Sequence, residues 1–198
     1  APKANIKYCG GLSLFTVSRV FEKAGLKVWN IDELSTHGGS LRVYGCHQND
    51  CRPISRSVKS MFERESKSGL QCLSTYYGFQ IAVDRIKDEL LLFLLEQKKQ
   101  NKLVAAYGAA AKGNTLLNYS GVKNDLLKFV CDAAAAKQGK YLPGSHIPIF
   151  SPEEIVVNKP DFLLILPWNI AQEVREQNSS IRDWGGKFVT AVPTLEIS

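Results

Sequence analysis

A glycine-led run, Tyr107-Gly108-Ala109-Ala110-Ala111-Lys112-Gly113-Asn114-Thr115, follows directly on the short apolar stretch KLVAAY. Small residues at a strand-to-helix turn let the backbone approach a ligand, and the free N–H groups of the helix start then face an anion such as a phosphate. Lys112 adds a positive charge there. The run is not the dinucleotide fingerprint G-x-G-x-x-G, because an alanine stands where its second glycine belongs. It is not a Walker A loop either, since Lys112 precedes the second glycine. A tight βα turn made of good helix formers is the alternative reading of the same residues.

Other residues with chemical capacity cluster around this one. Asp132 ends the next apolar stretch, about two dozen residues past Gly108, where an acidic side chain meets a ribose hydroxyl in nucleotide-binding doubly wound folds. A loop or capping role is the alternative. The segment from Lys137 to Pro148, KQGKYLPGSHIP, is a glycine- and proline-shaped loop carrying two lysines, Tyr141 and His146. It is expected beside the carboxyl ends of the strands, where open α/β sheets bind ligands. Asn169, in Pro167-Trp168-Asn169, is placed to cap the next helix or to reach a ligand, with capping favoured. His37, in THGGS between two strands, is followed by two glycines and suits a general base. Cys46, His47 and Cys51 lack the second pair that a structural zinc site needs, so the two cysteines read as free thiols and no metal is assigned.

The elements that must position these residues follow from periodicity. Residues 13–24 place Leu14, Val17, Val20, Phe21 and Ala24 at helical spacing, with Ser13 as N-cap and Gly25 just past the end. LKVWNIDEL and LRVYGC alternate apolar and polar residues around STHGGS, predicting an antiparallel hairpin. Turn signals at 48–57 predict a boundary there, then a helix over 56–67 and a longer one from about Thr75 to Gln100. After that, short apolar strands alternate with helices. Such alternation predicts a parallel sheet covered on both faces, because each crossover needs a helix to return the chain. The expected fold class is α/β: a Rossmann-like doubly wound parallel sheet over 48–198, with a helical lead-in at 56–100 and its core at 102–198. It is preceded by a helix and strand pair in 1–47 that is too small to bury its own apolar faces.

Composition narrows the classes further. The 198 residues are 44% hydrophobic and 22% charged, which excludes disorder as the dominant state. The longest apolar run, Leu90 to Leu95, is far short of the ~18 residues a bilayer crossing needs. Lys and Arg outnumber Asp and Glu by 25 to 19, for a formal charge of +6. That permits an anionic partner, yet no basic stripe with interleaved aromatics points to nucleic acid. Five scattered cysteines and an N-terminus without an apolar signal core lead to the expectation of a cytoplasmic chain.

The runs HGGSLRVYG at 37–45, AYGAAAKGNTLLNY at 106–119, KQGKYLPGSHIPI, ILPWN at 165–169 and WGGKF at 184–188 together resemble one family. It is the C-terminal portion of the S-adenosylmethionine-dependent sugar C-methyltransferases, which act on nucleotide-linked deoxysugars. The resemblance covers nearly the whole chain, in the family's order. It implies that 1–47 is the tail of a class I methyltransferase domain and that the rest is the family's Rossmann-like C-terminal domain. It implies a nucleotide-linked keto-deoxysugar as substrate and the upstream methyltransferase domain as partner within one protein. It implies His37 as the base that removes the proton beside the ketone before the methyl group passes to carbon. Gly108, Lys112, Gly113, Asn114, Asp132, Tyr141, His146 and Asn169 are then substrate-side residues, with the helix start at Gly113 facing a phosphate. The family's glycine-rich S-adenosylmethionine loop and its zinc cysteines are absent from these residues. The chain is therefore expected to bind that cofactor poorly and to be inactive alone, as part of a larger enzyme. A non-catalytic interaction or nucleotide-binding domain is the alternative.

Overall fold

The structure, a computed structural model, describes residues 5–8, 12–34 and 40–198. Its contacts separate into two compact units, Ala1–Phe79 and Gln80–Ser198.

In the first unit, strands β1 (Asn5–Tyr8), β2 (Leu26–Leu34) and β3 (Ser40–His47) form an antiparallel sheet in the order β1-β3-β2. The hairpin read from alternation is present, with Ile31 opposite Val43 and a bulge between Val28 and Asn30. β1 was not foreseen, because four residues without a turn signal carry too little pattern. Helix α1 (Leu14–Lys23) starts where expected, with the Ser13 hydroxyl accepting from the Thr16 amide at 3.1 Å. Its buried Leu14, Val17 and Phe21 pack with Val28, Ile31 and Val43.

Helix α2 (Arg56–Lys67) matches its expected span but joins this first unit, not a lead-in to the second. Val58 is buried in the first core, and Glu65, also buried, accepts the Leu14 and Phe15 amide protons at 2.5 and 3.0 Å. Packing therefore divides the chain after Phe79, although the turn signals lie at 48–57. The single helix expected from Thr75 to Gln100 is instead two, α3 (Leu73–Tyr77) and α4 (Phe79–Lys99), broken at Gly78. Phe79 is 67% exposed, and full burial along α4 begins only at Leu90.

The second unit contains β4 (Val104–Tyr107), α5 (Ala111–Tyr119), β5 (Val130–Cys131), β6 (Ile149–Phe150), α6 (Glu153–Asn158), β7 (Phe162–Ile165), α7 (Ala171–Gln177), β8 (Lys187–Thr190) and β9 (Glu196–Ile197). Its six strands run in the order β6-β5-β4-β7-β8-β9, parallel except for β9. This is the Rossmann-like doubly wound sheet that the alternation predicts. One face packs Ala106, Val130 and Leu164 against Leu90, Phe93 and Leu94 of α4 and Leu117 of α5. The other packs Ala105, Cys131 and Leu163 against Ile155 of α6 and Val174 of α7. The strand order reverses between β4 and β7, so the carboxyl ends of these two strands mark the topological switch point.

Candidate functional site

The turn after β4 is shaped by packing. Gly108 has φ +94°, and a Cβ there would stand 2.5 Å from Cδ of Pro167, which follows β7. Gly113 is buried in the first turn of α5, and a Cβ there would stand 2.5 Å from Cβ of Leu166. That glycine brings the helix close to the sheet. α5 begins after Ala110, with no side-chain cap for its free amides.

Asp132, 8% exposed at the end of β5, joins this turn to the next loop. Its Oδ2 accepts from the Ala109 amide at 2.7 Å and from Lys137 Nζ at 2.9 Å, while Oδ1 accepts from the Ala134 amide at 2.8 Å. Its own carbonyl accepts from Gln138 Nε2 at 2.9 Å. Burial pushes the carboxyl pKa up, but the Lys137 hydrogen bond and charge and the two amides outweigh it and hold the group below its ordinary value. Next to it, burial pushes the Cys131 thiol up to about 12.

Between the start of α5 and the 136–143 segment lies a cavity of about 450 Å³, within the size range of small-molecule sites. Ala109, Ala110, Ala111 and Asn114 line one side, and Lys137, Lys140, Tyr141 and Pro143 line the other. Asn114 Oδ1 is buried without a hydrogen-bond partner. The far wall is firmly built. Ile149 N donates to Lys140 O at 2.8 Å, Leu142 N to Ile147 O at 2.9 Å, and Asn118 Nδ2 of α5 to Pro143 O at 2.9 Å. A larger groove of about 630 Å³ runs along α4 and β9, but carboxylates of Glu89 and Glu96 line it and none of the motif residues does.

The expected site residues thus separate. Asn114 and Tyr141 meet at the cavity, while Lys112 and His146 are exposed and do not line it. His146 has φ +57° in the αL region. Gly108 and Gly113 serve packing, and Asp132 is engaged by protein groups. Asn169 is not a helix cap: it lies in a 3₁₀ turn, Trp168–Ile170, and α7 is entered from Ile170 without a side-chain cap. His37 lies outside the described residues. Lys137 and Lys140 were part of the loop noted in the sequence but not singled out. Their spacing of three in a turn that returns on itself was the available signal. Cys46 and Cys51 are free thiols.

The donor set suits an anion. Lys140, together with Lys137, whose charge the Asp132 carboxylate offsets, and the amides at the start of α5 favour an anion such as a phosphate. Asp132, the acid in position to bind a ribose, is already bonded three ways. Among the described residues, this cavity offers the ribose of S-adenosylmethionine no unengaged acid. No helix among them is long and apolar enough to cross a membrane.

The sequence model of the family described as C-methyltransferase C-terminal domain matches residues 35–193. The chain is also 33% identical to a C-methyltransferase, NovU, of Streptomyces niveus, over 91% of its own length. It spans 43% of the length of that curated relative.

Proposed function

The chain belongs to the C-methyltransferase C-terminal domain family, and from that premise we propose that it holds the nucleotide-linked keto-sugar substrate of a larger S-adenosylmethionine-dependent C-methyltransferase. The observation that carries this reading is the cavity at the start of α5, with Lys137, Lys140, Tyr141 and the unpartnered Asn114 Oδ1 around it. A nucleotide-sugar brings two phosphates for the cationic side and hydroxyl or imide donors for Asn114. In the whole protein the methyl donor is held by a methyltransferase domain, and His37 is the proposed base. A neutral imidazole suits removal of a proton beside a ketone, which typically contributes about 10² to 10⁴ in rate. The enzyme is assigned to the cytoplasm on the same reading.

Isothermal titration of the chain with dTDP tests the binding role. Saturable heat is expected, weakened about tenfold by Lys140→Ala, the loss of roughly one charge-assisted hydrogen bond. Absence of heat with dTDP and with several nucleotide-sugars defeats the reading. For His37, unchanged turnover of a His37→Asn variant of the whole enzyme removes it from the mechanism.

A run of exposed apolar side chains in the first unit, Leu73, Tyr76, Tyr77 and Phe79, supports a second reading, an interaction domain that braces a catalytic partner. In that case no nucleotide raises the melting temperature.

A further inference from the structure

Away from the cavity at α5, the groove along α4 and β9 joins an apolar floor to an acidic rim. In the floor, Phe93 of α4 and Phe162 of β7 meet edge to face at 5.2 Å, and Leu195 packs on the same core. Ile197 stands opposite Val189 of that core, so β9 turns it to the side of the sheet that α4 covers. Yet Ile197 is 47% exposed, and Leu92, on the flank of α4, is 68% exposed. Among the described residues, no strand pairs with the outer edge of β9. An open edge of this kind is commonly covered by a helix or loop.

The charge along the groove says what such a helix must carry. Glu89 and Glu96 lie two turns apart on α4, about 10 Å along its axis, with Leu92 between them on the same flank. Among the described residues, no close cation neutralises either one. Glu89 reaches Arg85 only at 3.9 Å, and Glu96 accepts from Gln100 Nε2 at 3.3 Å. Lys102, the one cation among the lining residues, lies over the Phe162 ring at 5.4 Å. The rim is thus acidic on a chain whose formal charge is +6.

We propose that this groove docks a basic amphipathic helix of a partner protein, with Lys or Arg side chains two turns apart facing Glu89 and Glu96. Apolar side chains between them fill the space beside Leu92, Leu195 and Ile197. A second copy of this chain suits the face less well. Two α4 helices packed antiparallel about Leu92 set Glu89 of one copy against Glu96 of the other, like charge against like charge.

Fluorescence anisotropy on the 198-residue chain tests this with two labelled peptides of about 18 residues, long enough to form a helix. Both carry leucines along one face. One has lysines flanking that face at two-turn spacing, and the other has glutamates in their place. The lysine peptide is expected to bind saturably, less tightly as salt rises, and about tenfold more tightly than the glutamate peptide. The double variant Glu89→Lys, Glu96→Lys should reverse that preference, and Leu92→Ala should weaken the lysine peptide about threefold or more. The urea midpoint of each variant checks that it folds. Equal binding of the two peptides by the unaltered chain, or no binding of the lysine peptide, overturns the proposal. So does a dimer of the chain in sedimentation that Leu92→Ala dissociates, which assigns the face to a second copy.

Discussion

Asp132 Oδ2 accepts the Ala109 amide proton at 2.7 Å, so the end of β5 holds the first turn after β4. With Ala134 and Lys137 on the same carboxylate, both walls of the cavity depend on one buried side chain. Asp132→Ala leaves two amides and an ammonium without their acceptor. A loss of about 2–4 kcal/mol in urea unfolding is expected, with Asp132→Asn falling between, since one acceptor oxygen remains. A loss under 1 kcal/mol for the alanine variant would mean that water replaces the carboxylate at little cost.

The same carboxylate makes a pH prediction. Its folded pKa lies below the unfolded value of 3.8, so its contribution is complete above that value and disappears as pH falls through the lower, folded one. The stability gap between the unaltered chain and Asp132→Ala should therefore hold from about pH 6 down to about 4 and narrow below it. Other carboxylates cancel in the difference. A gap that stayed constant to about pH 2.5 would assign the effect to shape and not to charge.

Gly113 tests how closely α5 lies on the sheet. Alanine would normally strengthen a helix by up to about 1 kcal/mol over glycine. Here its Cβ would stand 2.5 Å from Leu166 Cβ in a filled core, with Leu166 Cγ and Cδ1 at 3.1 Å. Overpacking of that kind costs about 1–3 kcal/mol, so Gly113→Ala should lower the urea midpoint. A raised midpoint would show that the helix can lift off without penalty.

Much of this architecture was legible because burial leaves a periodic trace. The strands β4 and β7 are apolar at every position since both faces are covered, and α1 has marks at both ends in Ser13 and Gly25. The break at Gly78 was not legible, because a glycine inside an amphipathic pattern is also tolerated in a continuous helix. The inward turn of Asp132 was hidden for a different reason. Whether a carboxylate reaches a ligand or a neighbour depends on where Lys137 and two amides lie in space, and residue type alone does not carry that. Gly108 and Gly113 were read as ligand glycines, yet the same absence of a Cβ serves Pro167 and Leu166 equally well.

In the first unit, Glu65 acts as a cap supplied from a distant helix. Its two carboxylate oxygens accept the Leu14 and Phe15 amide protons at the positive end of α1. Glu65→Ala is expected to cost about 1–2 kcal/mol and to speed amide exchange at Leu14 and Phe15. Glu65→Gln keeps one acceptor and should retain about half of the effect. Unchanged exchange at those two amides in the alanine variant would show that Ser13 is a sufficient cap.

Asn114 separates stability from binding. Its Oδ1 is buried without a partner, a state that disfavours the ligand-free fold by about 1–3 kcal/mol unless something donates to it. Leucine has the same branched skeleton of four heavy atoms, with bulkier methyl ends, no polar atom and a better helix propensity. Asn114→Leu should therefore leave the free chain as stable or raise it by about 1 kcal/mol. The same change should weaken dTDP about tenfold, because the ligand's donor then enters an apolar wall without an acceptor. The two measurements must move in opposite directions. If stability and affinity both fall, Asn114 is a packing residue of α5 and the unpaired oxygen has no ligand to meet.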